Sequence, residues 1–183
     1  GQMLAGRRVI AVAGSHGKTT TTAMIAWMLA ALGQQPGFIV GSVVTNLGVN
    51  ARAGQSPLFV IEADEYDYMF LGLTPSIAVI TNVEHDHPDL FPTLESMYMA
   101  FEKFVDLLPD DGTLIVCAED TGAAALIPHV RKIGRNVVSY GMQGDMTINT
   151  PFWVQARDVQ PNQRGGFDFT VMSNIETQTS VSA

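Results

Sequence analysis

Lys18 and Thr19 follow two glycines in the run Gly14-Ser15-His16-Gly17-Lys18-Thr19, and those residue types at that spacing handle phosphate. Successive backbone N–H groups from Gly14 to Lys18, with the positive end of a following helix, form an anion cradle. A nucleotide held there, ATP or GTP, would lie against Gly14, Ser15, His16, Gly17, Lys18, Thr19 and Thr20. Lys18 would reach its outer phosphates as a point charge, and the Thr19 hydroxyl would sit on a bridging magnesium ion. His16, inside the loop, would orient the turn. The loop departs from the general G-x-x-x-x-G-K-[ST] pattern, because the first glycine would fall at Val12; it reads G-x-x-G-K-T.

Two further clusters carry metal-ligand chemistry. Glu62, Asp64 and Glu65 follow one short apolar run, and Asp86, His87 and Asp89 follow another. Magnesium takes oxygen ligands and keeps several waters, so one or two carboxylates per ion suffice. Glu62 is the expected partner of Thr19 on the phosphate-bridging ion. On composition alone the first cluster reads as a solvated acidic loop, and its place immediately after a buried strand favours the metal reading instead. His85 and His87 read either as loop-capping imidazoles or, when neutral, as ligands of a second ion.

These side chains need a frame to converge. Arg8–Ala13 is a short, β-branched apolar run that feeds the loop, and Phe38–Val40, Leu58–Ile61, Ile77–Ile80, Thr113–Cys117 and Asn136–Tyr140 are further runs of the same kind. Apolar strands with polar C-terminal ends predict a parallel sheet covered by helices. Thr19–Leu32 is apolar nearly all round, which predicts a buried crossover helix stopped at Gly33. Thr93–Leu108 reads as the clearest helix, with Leu94, Met97, Tyr98, Phe101, Phe104, Val105 and Leu108 on one stripe, Thr93 as cap and Pro109 as stop. Asp120 caps a weaker helix through Val130. The piece from Gly41 to Gln55 reads as turn-rich. From 145 to 183 the pattern alternates, around Phe152–Val154 and Phe167–Val171, and predicts an antiparallel β-hairpin extension of the same domain.

Composition sets the bounds. The chain has 183 residues, 46% of them hydrophobic and 15% charged, with a formal net charge of −8. One packed domain is expected. No basic run is present, so nucleic acid is not an expected partner. The longest apolar run, Ala23 to Leu32, is about half of a bilayer crossing, so no membrane association is expected. The single cysteine, Cys117, reads as a small core residue, and a reducing, cytoplasmic compartment is expected.

Three ordered motifs together resemble a known family. Ala13 to Thr22, then Glu62-Ala63-Asp64-Glu65, then Thr81-Asn82-Val83-Glu84 with Asp86-His87-Pro88-Asp89, are similar to the central ATP-binding domain of the Mur ligases of peptidoglycan synthesis. The loop histidine and the four threonines are most similar to the alanine-adding branch, while the acidic motif EADEYD is shared with the branch that recycles tripeptide. The resemblance implies ATP and Mg2+ as cofactors and an amide-forming ligation through an acyl phosphate. It implies UDP-N-acetylmuramic acid and L-alanine as substrates, held with the help of flanking domains. By position, Lys18 would stabilise the transferring phosphoryl group, Thr19 and Glu62 would hold the first magnesium, and His87 would help hold the second.

Several relatives carry a carbamylated lysine after the histidine motif. Here that region reads Phe101-Glu102-Lys103, offset by about a residue, and Lys103 is not assigned. The family uses three domains, so 1–183 is expected to be the central one of a longer ligase, inactive by itself. A stand-alone P-loop module is the alternative from another class. Lys18, as a functional charge, is expected to be removable without loss of the fold.

Overall fold

The computed structural model describes residues 4–142 and 150–175. Its elements are β1 (Arg8–Ala13), α1 (Lys18–Ala31), β2 (Gly37–Val44), β3 (Val49–Arg52), β4 (Leu58–Glu62), a 3₁₀ segment (Tyr66–Gly72), β5 (Ile77–Ile80), α2 (Leu94–Val105), β6 (Thr113–Cys117), α3 (Thr121–Ala124), α4 (Ile127–Lys132), β7 (Asn136–Gly141), β8 (Phe152–Pro161) and β9 (Phe167–Ser173). Among the described residues these strands form one nine-stranded sheet in the order β3-β2-β4-β1-β5-β6-β7-β8-β9. The strands from β2 to β8 pair in parallel, and only β3 and β9, at the two edges, run antiparallel.

Alternation along the strands separates two apolar layers. Val9, Ala11, Phe59, Ala78, Ile80 and Leu114 face α2 to α4, in a core filled by Met97, Phe101, Phe104, Leu126 and Val130. Phe38, Val40 and Val60 face the other way and pack with Ala26 and Ile25 of α1. Burying one large apolar side chain contributes roughly 1.5–3 kcal/mol. The α2 stripe, with Met97, Phe101 and Phe104 fully buried, therefore docks that helix firmly. Thr93 caps it as expected, exchanging hydrogen bonds with Ser96.

Four expectations are revised. α1 covers β1, β2 and β4 with one side only; Thr22 and Ala26 are fully buried, but Met24, Trp27 and Met28 are 40–57% exposed. Apolar composition all round therefore did not mean burial all round. The turn-rich piece from Gly41 to Gln55 contains a hairpin, in which β3 pairs antiparallel with β2 around Gly48 at φ +72°. That pairing was hidden because β3 is short and wholly exposed. The weak helix after Asp120 is two short helices, the second begun by Pro128 in its first turn, a position where proline fits because no donor is needed. Cys117 is half-buried rather than a core residue.

At the C-terminal end, β8 first extends the parallel sheet beside β7, and only β9 turns back antiparallel. Residues 145–149 and 176–183 of the predicted extension lie outside the described residues. No helix of the described residues is long and apolar enough to cross a membrane.

Candidate active site

β1 lies between β4 and β5, and all three are parallel, so their C-terminal ends open into one crevice where the connections leave β1 on opposite sides. The loop after β1 enters it through Gly14 at φ +136°, where a Cβ would fall on the Thr81 hydroxyl and the Asn82 backbone. Only glycine fits so close an approach. The β5 loop then grips the phosphate loop. Ser15 N donates to Asn82 O at 3.1 Å and His16 N to Asn82 Oδ1 at 2.8 Å. Thr81 Oγ1 donates to His16 O at 2.7 Å, and the Ser15 hydroxyl donates to Glu84 O while accepting from Glu84 N, both at 2.9 Å.

The amides of Ser15 and His16 are thus committed within the protein. The donors left for an anion are the first-turn amides of α1, which by helix geometry have no intrahelical acceptor. Gly17, in the left-handed region at φ +81°, is the N-cap and turns the chain into that helix.

Lys18 lies at the centre. Its Nζ donates to Gly14 O at 2.7 Å and to Glu65 Oε1 at 2.9 Å. Glu65 is fully buried, and its other oxygen, Oε2, has no hydrogen-bond partner. The remaining side chains fall into two groups on either side of this pair. In one, the Thr19 hydroxyl donates to Glu62 Oε1 at 2.7 Å, and Gly41 N donates to Glu62 Oε2 at 2.6 Å. In the other, His87 Nε2 stands 3.9 Å from Glu65 Oε1 and 3.7 Å from Asp86 Oδ2. One ligand atom from each of Glu65, Asp86 and His87 lies within 4.8 Å of the others.

The structure therefore joins Thr19 directly to Glu62, and places both Lys18 and His87 beside Glu65. Thr20 is exposed, at the edge of a groove of about 280 Å³ that also takes in Ala23, Trp27, Val43 and Asn46. His16 is exposed, its ring 3.7 Å from Glu84. Asp64 is used locally, accepting from Tyr66 N at 3.0 Å. His85 meets the Phe91 carbonyl at 2.8 Å, the loop-capping role. Sequence reasoning ranked Glu62 over Glu65 and gave no separate role to Asp86. The one signal for Glu65 was the apolar Phe70 five residues on, which pulls that segment inward.

The Lys18–Glu65 pair bears on the expectation that Lys18 can be removed without loss of the fold. Removing the ammonium leaves a buried carboxylate whose nearest remaining basic group is the His87 imidazole at 3.9 Å.

Fold and site define a class: an α/β domain of the P-loop kind, with Glu62 and Glu65 hydrogen-bonded to Thr19 and Lys18 at the start of α1. Residues 12–182 match the family model described as the Mur ligase middle domain, and the chain belongs to that family. The UDP-N-acetylmuramate–L-alanine ligase of Arthrobacter sp. (strain FB24) is 50% identical over 146 residues, covering 79% of this chain and 31% of its own. The chain thus spans about a third of the length of such curated relatives. Among solved structures, the UDP-N-acetylmuramate:L-alanyl-gamma-D-glutamyl-meso-diaminopimelate ligase from Neisseria meningitides superposes with a TM-score of 0.74 at 34% identity, over 92% of this chain and 53% of that one. The UDP-N-acetylmuramate-alanine ligase of Thermotoga maritima superposes at 0.60 and 25% identity, over 84% of this chain and 32% of that one.

Proposed function

We propose that residues 1–183 form the ATP- and magnesium-binding central domain of a three-domain cytoplasmic ligase, which joins L-alanine to UDP-N-acetylmuramic acid. The observation that carries the reading is the meeting of Lys18, Thr19 and two glutamates at the mouth of the phosphate loop. Curated relatives about half identical in sequence and bearing that ligase name supply the choice of substrates.

The residues fit the two ions such a reaction uses. Thr19 and Glu62 offer hard oxygen atoms beside the loop, Glu65 carries a buried carboxylate oxygen without a partner, and one ligand atom from each of Glu65, Asp86 and His87 lies within 4.8 Å of the others. We assign the first ion to Thr19 and Glu62, and the second to His87 with Glu65 and Asp86. Magnesium there would neutralise the charge that accumulates on the phosphates during transfer.

The first-turn amides of α1 would hold the phosphates of ATP, with Gly14 and Gly17 shaping the loop that lets them approach. A carboxylate oxygen of the muramic acid attacks the γ-phosphorus, and the bond to the β-phosphate oxygen breaks. Lys18 leaves Glu65 for the transferring group and offsets its charge. The amine of L-alanine then attacks the acyl carbon, phosphate leaves with the carbon–oxygen electron pair, and the amine gives up a proton. The flanking domains would bring both substrates, and these 183 residues alone would ligate nothing.

The deciding measurement is phosphate release by the full-length ligase with ATP, magnesium and UDP-N-acetylmuramic acid. Release that depends on L-alanine is the expected result. Dependence on tripeptide would move the protein to the recycling branch, and release indifferent to either would leave only a nucleotide site.

A further inference from the structure

The segment after Glu65 is bent in a way few side chains tolerate. Asp67 (φ 52°, ψ 26°) and Tyr68 (φ 55°, ψ 24°) are consecutive non-glycine residues in the left-handed region, and His87 on the facing loop is another at φ 51°. Such backbone persists only where its surroundings over-determine it. Here aromatic contacts do so. Phe70 is buried and stacks on Phe104 with centroids 4.8 Å apart, and Tyr68 meets the buried Phe91 edge-on at 5.4 Å.

Between those anchors and Glu65, the chain presents Tyr66 to the histidine loop. Its ring meets the His87 imidazole edge-on, at 5.1 Å and 73°. Its hydroxyl donates to Asp89 Oδ2 at 3.2 Å, and its backbone N–H is fixed by Asp64. The phosphate loop uses none of these contacts.

We propose that Tyr66 is a positioning residue for His87, holding the imidazole with Nε2 turned toward Glu65 and Asp86. The ring blocks one side of the imidazole and removes rotamers that would carry Nε2 away. The hydroxyl ties down the loop two residues beyond His87. The inference rests on the reading of His87 as a cation ligand, and it adds that a residue which binds nothing itself sets that ligand's geometry.

The two parts of the side chain can be separated. Tyr66→Phe keeps the ring and loses the hydroxyl, whereas Tyr66→Leu loses both. The experiment records imidazole resonances of the 183-residue chain, with the His87 signals assigned by His87→Gln, and titrates Mn2+ as the probe. Removing a partner that orients a ligand typically weakens metal binding about 10-fold or more. Tyr66→Leu should move the His87 ring signals and raise the Mn2+ midpoint for their broadening about 10-fold, by that same rule. Tyr66→Phe should keep the ring signals close to wild type and most of the affinity. The thermal midpoint should stay put in both, since Tyr66 is 44% exposed. Unmoved His87 signals and an unchanged midpoint in Tyr66→Leu would overturn the proposal. A wild-type His87 that ignores Mn2+ would instead sink the cation reading, and the ring signals of Tyr66→Leu would still decide whether Tyr66 positions it.

Discussion

Lys18 has one anionic partner within the protein, and the proposed function gives it a second in the phosphates of ATP. Its ammonium lies on Glu65, a carboxylate with no exposure at all and an orphan second oxygen. Taking an acid out of water is costly unless something offsets it. Lys18 is therefore part of the fold as well as of the proposed chemistry. Breaking a buried pair by removing one partner costs about 3 kcal/mol or more. In a chain of this size that lowers the thermal midpoint by roughly 6–12 °C. Lys18→Met should show that fall together with loss of nucleotide binding. Lys18→Met with Glu65→Gln should recover most of the stability and none of the binding, because an amide is far easier to bury than an unpaired carboxylate. Calorimetric melting of the four proteins in that cycle checks the argument, and equal midpoints for wild type and Lys18→Met would refute it.

At the scale of elements, the site depends on how firmly loops are fastened to the sheet. Asp120 shows this, since its Oδ1 accepts from Ala123 N at 2.6 Å, capping α3, and from Val83 N at 3.0 Å, in the strand-end loop that leads to His87. α3 also sits so close that a Cβ on Gly122 would fall on the Val83 carbonyl. Asp120→Ala should cost about 1–2 kcal/mol from the lost cap and the unpaired Val83 amide. It should also weaken Mn2+ binding at His87, though Asp120 touches none of the proposed ligands; unchanged Mn2+ affinity would show that the loop is held without it. The sequence made the strand ends legible, because a buried parallel strand is a short β-branched run and the residues just past its end point into the crevice. That logic located Lys18, Thr19, Glu62 and His87, and the caps at Thr93 and Asp120 were readable from local chemistry alone. Glu65 was harder to place, since the segment that follows it is held down by Phe70 meeting Phe101 and Phe104 across the fold, contacts that a local pattern hints at only through Phe70. The half-exposed face of α1 and the β2–β3 hairpin escaped for the same reason: each is decided by what else lies alongside.

For the whole molecule, two effects of rising pH act together and can be told apart. The chain already carries a net charge of −8, and every deprotonation in alkali adds to the self-repulsion that works against a compact state. That contribution is spread over the surface, and salt screens it. Tyr140, on β7, adds a local one. Its phenol is held well above the ordinary tyrosine range, first by burial and then by the nearness of Cys117 and Asp120. The unfolded chain therefore gives up this proton near the ordinary value of about 10, while the folded chain still holds it. Stability owed to the neutral phenol is complete below about pH 10 and falls as pH climbs from there toward the folded value. Tyr140→Phe has no such proton, so its loss of stability above pH 10 should be shallower than that of wild type. Because the phenol is largely shielded from solvent, the gap between the two proteins should persist in high salt while both curves flatten. Urea melts from pH 8 to 11 at low and high salt would measure it. Two curves that run parallel throughout would mean that surface repulsion alone accounts for the alkaline limb.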